Sequence, residues 1–413
     1  MPRPRHYYLP AMSFIQSFPL EILGEIFTAP ELDVLDVTSA SHVSRWWRDA
    51  ALEATELWLN VSIRDCDTEH ADVVLDHLQR SRCRPICLEL LFTSKESPTT
   101  SLEIRALLEA VVQPNIRRCR SLTAQATRAN WDAILATFGR ETYPLLRTLD
   151  IMFVHFSTTE HPLRDPGQEI TFPLPENHPL DELAVYSMNV GNVVLPQMRA
   201  LRVGGLLDGL VGTDGRINRC LLDGPQRLEL RNLAIPPMQF QTEEESRATS
   251  SVVFLKLSRI YASTSPHGTQ NDCAPFFDAL QTPLIRTLEL EKIYGRAWED
   301  FLFALNTPKQ KYPFLAELLL TSFDFQRLSY AGVAFFLSCF PGLETVVLSG
   351  GPSSTWESVW HVLMLHPSLC PSVGAVEANG VLLNREEPLP FACACLLEEP
   401  KDQHFSRMSA SSS

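Results

Sequence analysis

The residues of this chain that could do chemistry are thinly spread, and their spacing argues against most of it. His361 and His366 are five apart, so on a helix they face different ways and cannot share a metal as an i, i+4 pair would. Cys83 and Cys87, and Cys393 and Cys395, are isolated pairs lacking the second half that a zinc site needs. The glycines from Gly204-Gly205 to Gly215 are spaced as turns and not as a phosphate cradle, and no Gly-x-Gly-x-x-Gly or Walker-type loop occurs. There is no Gly-x-Ser-x-Gly elbow and no His-Glu-x-x-His. An enzyme built on this chain would have to gather its site from distant residues, and no motif speaks for one. The expectation is a non-catalytic chain with no cofactor and no metal.

Charge narrows the partners. The 413 residues carry a formal net charge of -14, which disfavours a duplex-binding face, since phosphate contacts need clustered Lys and Arg. It disfavours anionic membrane surfaces as well. The basic run Arg117-Arg118-Cys119-Arg120 is short and reads as a solvated face. No window approaches the ~18 apolar residues of a membrane span, and the basic start MPRPRHYYLPAMSF has no apolar run of the signal-peptide kind. Neither nucleic acid nor membrane is therefore expected as a partner. With ten cysteines at irregular intervals, the reading is an intracellular protein, cytoplasmic or nuclear, with reduced thiols. The Asn60-Val61-Ser62 sequon should then stay unmodified. Apolar residues at 45% and charged residues at 20% make the chain globular and not disordered.

The stretch that organises the N-terminal region runs from Phe18 to Trp58. Pro19 suits the first turn of a helix, where no N–H is needed and φ is already set. A helix should follow through Phe27. Leu20, Leu23 and Phe27 share one stripe, and Ile22 and Ile26, four apart, make a second beside it. Together they span roughly 160° of the helix, wider than the ~100° that packing on one's own core requires. So short and apolar a helix should pack on two sides, one of which is open to another chain. Pro30 then breaks the chain, and Leu32, Val34, Leu35 and Val37 form a second apolar segment. Thr38 or Ser39 can cap a third helix carrying His42, Val43, Trp46, Trp47 and Ala50 towards Leu57. Three short helices in so little chain cannot bury an adequate core alone.

These residues resemble an F-box. The matching blocks are Phe18-Pro19-Leu20, Glu21-Ile22-Leu23, Ile26-Phe27, Val43-Ser44-Arg45-Trp46-Trp47-Arg48 and the closing Leu57-Trp58, in that order. Phe18 stands where a Leu is usual. The layout is similar to the F-box proteins abundant in mushroom-forming fungi. The resemblance implies docking on the Skp-type adaptor of a Skp–cullin–F-box ubiquitin ligase, and through it on a cullin. Pro19, Leu20, Ile22, Leu23, Ile26 and Phe27 would form the adaptor face, with Val43 and Trp47 at its edge. The same stretch also reads as a plain helical cap on a larger domain, with its tryptophans as core residues.

Beyond Trp58 the chain alternates short strands and amphipathic helices. Leu59 to Ile63 and Pro85 to Leu90 read as strands. Ala71 to Arg80 and Ser101 to Val112 read as helices, the second with Pro114 just past its end. A Leu-x-Leu-like strand recurs at Leu88, Leu122, Leu149, Leu183, Leu201, Leu228, Leu255, Leu288, Leu318 and Val346. Most steps between them lie at or just beyond the roughly 20–29 residue period of leucine-rich repeats. Helical patterns fall between the strands: Trp131 to Phe138, Phe276 to Leu280, Trp298 to Leu305, Gly332 to Phe340 and Trp356 to Leu365. One unit of this kind cannot bury its apolar face, but a stack can. The fold class is α/β, a three-helix F-box followed by an irregular leucine-rich-repeat solenoid, a resemblance that implies an unknown target protein held by the repeats. A non-repetitive α/β domain with parallel strands gives the same alternation. The domain expectation is a tail over 1–12, an F-box-like domain over 13–60, repeats over 61–395 and a disordered Ser-rich tail over 396–413. The Pro-rich stretch His155 to Pro179, the polar stretch Gln241 to Ser251 and the turn-rich Ser263 to Pro275 interrupt the repeat. An adaptor-free interaction scaffold, its N-terminal helices capping the solenoid, is the alternative function.

Overall fold

A computed structural model of the chain describes residues 18–27, 39–64, 71–93, 101–138, 143–154, 180–186, 198–206, 224–235, 251–262, 273–280, 282–293, 295–306, 311–322, 330–350, 353–379 and 381–384. The chain divides into two compact units, residues 1–164 with 173–175, and residues 165–172 with 176–413.

Among its described residues the first unit opens with helices α1 (Leu20–Phe27) and α2 (Arg45–Glu53) and a 3₁₀ turn, Thr55–Trp58; the second apolar segment read from sequence, Leu32 to Val37, lies outside the described residues. Four strands follow: β1 (Asn60–Arg64), β2 (Ile86–Phe92), β3 (Cys119–Ala126) and β4 (Thr148–Phe153). They are parallel and each pairs with its predecessor. Parallel neighbours need a crossover. Three helices supply it: α3 (Ala71–Arg80), α4 (Ser101–Leu107) and α5 (Arg128–Phe138). The second unit continues in the same manner with β5 (Glu182–Tyr186), β6 (Ala200–Leu206), β7 (Arg227–Ile235), β8 (Phe254–Ser258), β10 (Thr287–Glu291), β11 (Glu317–Thr321), β12 (Thr345–Ser349) and β13 (Ala375–Ala378), all parallel. A short strand, β9 (Tyr261–Ala262), pairs with the far end of β7. Helices α6 (Ala274–Ala279), α7 (Arg296–Leu305), α8 (Tyr330–Ser338) and α9 (Ser353–Leu365) lie between the later strands.

Within each unit, the short β9 apart, every parallel strand adds beside the one before it. A doubly wound α/β sheet reverses its strand order at a switch point. Its absence from these pairings decides for stacked repeats and against the non-repetitive α/β alternative. Register makes the same point. Leu88 pairs with Leu122 and Leu122 with Leu149 in the first unit. In the second, Leu183, Leu201, Leu228, Leu255, Leu288, Leu318 and Val346 succeed one another as direct partners. Two further repeats escaped the Leu-x-Leu reading: Val61 opposite Leu88, and Val376 opposite Val346. Both use β-branched residues in place of leucine.

The repeat carries two more positions than the sequence reading found. Three residues before most of the paired apolar residues stands another buried one: Trp58, Leu146, Met198, Val252, Ile285 and Leu343 are examples. At β2 that place falls on exposed Pro85, and a register irregularity lets Ile86 fill the core. Four residues after the first paired apolar residue, the second unit turns through left-handed backbone at Gly205, Asn232, Arg259, Lys292, Ser322 and Gly350. Non-glycine residues adopt that conformation only where the surroundings enforce it. Here the N–H groups of Arg259, Lys292 and Ser322 each donate to the carbonyl closing the next strand, at 2.8, 3.3 and 2.6 Å. The ladder therefore continues through the bend. Leu233, Ile260 and Ile293, directly after it, are buried. Asn232, two residues after Leu230, is thus the turning residue of β7 itself.

Local departures from expectation have local causes. The helix carrying Trp46 and Trp47 does not begin at Thr38 or Ser39. Residues 39–41 form one helical turn, the chain bends at His42-Val43, and Ser44 caps α2 by accepting from the Trp47 N–H at 3.2 Å. Helix α4 ends at Leu107 and passes through a wide π turn, Leu108–Val112, into a 3₁₀ turn, Gln113–Arg118, in which Pro114 holds an early position. The parallel run in the second unit ends in an antiparallel pairing of β13 with β14 (Val381–Asn384), with Ala378 opposite Val381. The stretches 155–179, 241–250 and 263–272 and the tails 1–12 and 396–413 lie outside the described residues. Among the described residues no helix is long and apolar enough to cross a membrane.

Candidate functional site

In the N-terminal segment, Pro19 is exposed and its carbonyl accepts from the N–H of Ile22 and Leu23, both at 3.1 Å, which sets the first turn of α1. The two stripes of that helix then part company. Leu23 and Phe27, 0% and 1% exposed, form a small core with Ala50 and Ala51 of α2, and Phe18, Leu20, Ala40, Trp47 and Leu57 pack against it. Phe27 and Trp47 meet edge to face at 5.5 Å. Ile22 and Ile26 lie outside this core, 45% and 41% exposed.

Two tryptophans hold the segment's ends. Trp46 Nε1 donates to the Phe18 carbonyl at 2.9 Å, tying the start of α1 to α2. Trp58 Nε1 donates to the Ala51 carbonyl at 2.9 Å, and its buried ring lies under the Arg80 guanidinium at 4.6 Å, beside His77. An Arg84–Glu56 ion pair joins the 3₁₀ turn to the residues before β2. The segment is thus anchored on the first repeat of its own unit through Trp58.

Of the eight residues singled out from sequence, Leu20, Leu23, Phe27 and Trp47 come together in the core. Pro19, Ile22, Ile26 and Val43 are exposed, Val43 at 64% in the bend before α2. Trp46, 40% exposed and hydrogen-bonded, was missed as a surface aromatic, because the cap at Ser44 that sets which tryptophan faces out lies five residues beyond the Ser39 start.

The other chemical candidates separate. Cys83 is exposed and Cys87 half-buried, and no disulfide joins any two of the six described cysteines. Among the described residues no three His, Cys, Asp or Glu side chains are placed to hold a metal. Arg118, read as part of a solvated face, instead reaches back to the Ser81 hydroxyl and the carbonyls of Leu78 and Arg82. Burial lowers its pKa, as expected for a guanidinium used as a structural tie. Cys393 and Cys395 lie outside the described residues.

The sequence of this segment has a counterpart among known families. Residues 15–64 match the F-box-like family. The F-box-like segment covers α1, α2, the 3₁₀ turn and β1, so the match ends inside the first repeat. No curated protein matches the chain. Among solved structures, the leucine-rich repeat-containing protein LegL7 from Legionella pneumophila is similar over 85% of this chain and 95% of its own, at 13% identity and a TM-score of 0.34. The repeat architecture described above rests on this chain's own strand register.

Proposed function

We propose that this chain is the target-recognition subunit of a Skp–cullin–F-box ubiquitin ligase. Its F-box-like segment docks on a Skp-type adaptor, and through it on a cullin, while the repeats hold a target protein. The observation that carries the reading is the outer stripe of α1. Ile22 and Ile26 stay uncovered on a helix whose Leu23 and Phe27 are buried in its core. An adaptor-free cap would need all of Leu20, Ile22, Leu23, Ile26 and Phe27 to be covered by the chain's own repeats. Adjacent apolar residues left in water on an ordered helix mark an interaction surface.

In this reading Pro19, Ile22, Ile26 and Val43 touch the adaptor, with Trp46 beside them. Leu20, Leu23, Phe27 and Trp47 hold the helix that presents them. The chain does no chemistry itself. It raises the effective concentration of target lysines at the ubiquitin carrier by holding both in one assembly.

The test is co-purification of the full chain with a Skp-type adaptor. An Ile22→Ala/Ile26→Ala variant should keep its melting temperature and lose adaptor affinity by roughly 2–4 kcal/mol, as interface anchors do. Leu23→Ala should instead destabilise the segment by about 2–5 kcal/mol. Unchanged adaptor binding by the isoleucine variant overturns the docking face. Absence of any complex with the unaltered chain favours the scaffold reading.

A further inference from the structure

On the sheet of the second unit, the side chains that alternate with the buried leucines form rows that run across the strands. In the middle row, Arg202 of β6, Glu229 of β7, Lys256 of β8 and Glu289 of β10 are successive register partners. Neighbouring strands lie roughly 4.8 Å apart, so each charge has an opposite one at hand. Lys256 has its counter-charges close by: it pairs with Glu289 and, at 3.1 Å, with Glu291, two carboxylates on one ammonium.

Glu229 is not balanced. Its side chain is 1% exposed, and three guanidinium groups converge on it: Arg227 Nε at 2.7 Å, Arg231 Nη2 at 2.5 Å and Arg202 Nε at 3.4 Å. Burial opposes ionisation of this carboxyl. The Arg227 hydrogen bond and the charges of Arg231, Arg227 and Arg202 outweigh burial and hold it below the usual carboxylate range. Three cations around one anion leave positive charge in excess, and the pull of Glu291 on Arg231 offsets only part of it. Glu182 lies 3.7 Å from Arg202 but is already paired with Arg199.

The guanidiniums are also held in place. Arg227 stacks over the Phe254 ring at 3.9 Å. Gly204, between Arg202 and the bend of β6, admits no side chain: a Cβ there would lie 2.5 Å from the Tyr186 ring and 2.8 Å from the Arg231 carbonyl. Tyr186 is thereby laid beside the cluster. Arg231 Nε is buried without a hydrogen-bond partner among the described residues. Side chains 31%, 45% and 39% exposed, at Arg202, Arg227 and Arg231, leave their outer edges to solvent.

We propose that Arg202, Arg227 and Arg231, gathered over Glu229, are a docking site for a short acidic segment of a partner protein carrying two adjacent carboxylates. Guanidinium groups bind carboxylates in pairs of parallel hydrogen bonds, and fixing them beforehand lowers the cost of binding. The neighbouring strands limit the length of the partner's charged run. Glu289 and Glu291 of β10 and Glu317 of β11 stand at equivalent positions on the same sheet and repel a long polyanion. That geometry favours a local acidic patch over a nucleic-acid backbone. The proposal rests on the repeat unit as the target-holding part of the receptor, yet its test does not depend on the adaptor.

The test is fluorescence polarisation of the full chain with labelled Gly/Ser dodecapeptides bearing a central Glu-Glu-Glu. Counterparts carry Gln-Gln-Gln or one phosphoserine, and a single-stranded oligonucleotide is the fourth probe. The Glu peptide should bind, weaken with added salt, and lose about tenfold in affinity on Arg227→Gln/Arg231→Gln. Glu229→Gln, which removes the cluster's own counter-charge, should tighten binding several-fold. A merely structural charge ladder would show the reverse. Melting curves report the fold of each variant, and Glu229→Gln carries the test if the double variant fails to fold. Ile22→Ala/Ile26→Ala should leave peptide binding unchanged, so failure of adaptor docking is read separately. Equal binding of the Gln peptide, weaker binding by Glu229→Gln, or preference for the phosphopeptide or the oligonucleotide overturns the proposal.

Discussion

At the scale of single residues, burial decides what a side chain does. Ile22 and Leu23 are neighbours in sequence, but one turns to solvent and the other to the core. Lys311 shows the same control over charge. Its side chain is only 10% exposed, hydrogen-bonded to the Phe277 carbonyl and 4.0 Å from Asp278. Burial pushes its pKa down to about 8, against the weaker pull of Asp278. The folded value lies below the unfolded one, so folding disfavours the cation. At neutral pH both states are protonated and this cost is fully present. Above about pH 8 the folded state sheds its proton first, and stability should rise with pH up to about 10. There the buried Tyr143 and Tyr312, whose pKa values burial raises, begin to act the other way. Lys311→Met should stabilise the protein by about 1–3 kcal/mol at pH 7 and flatten that rise. Thermal melting between pH 7 and 10 checks both, and an unchanged slope in the variant would assign the rise to other groups.

Individual elements here are short, and their ends are fixed by specific bonds. Helix α2 has nine residues, too few to be stable alone. Its start depends on the Ser44 cap and its far side on Ala50 and Ala51 packing under α1. Ser44→Ala should cost about 1 kcal/mol and loosen the segment that carries Trp46 and Trp47. The reading is a lower melting temperature together with a red-shifted tryptophan emission. Ser44→Asp should restore both, and failure of that rescue would count against the cap. The strands behave differently. They are five residues long on average in the later repeats, and their positions are set by a core row and by the left-handed bend that follows.

For the molecule as a whole, stability is distributed along stacks in which each repeat contacts mainly its neighbours. Such stacks need closed ends. In the second unit the β13–β14 hairpin covers the outer edge of β12, and Asn379 Oδ1 accepts from the Gly350 N–H at 2.9 Å. Deleting residues 375–384 should bare the β12 edge, lower the melting temperature and promote self-association, measurable by size-exclusion chromatography. A monomer of unchanged stability would show that the hairpin is dispensable.

The sequence by itself determined the repeat and the F-box-like helices. Both are written in residues close along the chain: Leu88-x-Leu90 and its successors, the Pro19 start, and the two stripes of α1. Apolar periodicity is a local property, and local spacing suffices to read it. The F-box-like stretch from Phe18 to Trp58 was legible for the same reason, and it falls within the matched residues 15–64. The rest needed long-range contacts. Which stripe of α1 is covered depended on Ala50 and Ala51, about twenty-five residues away. The first and last parallel repeats, at Val61 and Val376, became visible only through register with Leu88 and Val346. The arginine cluster joins Arg202 to Arg227 and Arg231 from a neighbouring strand, around a carboxylate that reads in sequence as one more charged residue. Strand pairing brings these charges together. Its register is set by the leucines on the opposite face of the strands, so only the tertiary structure could decide where the charges meet.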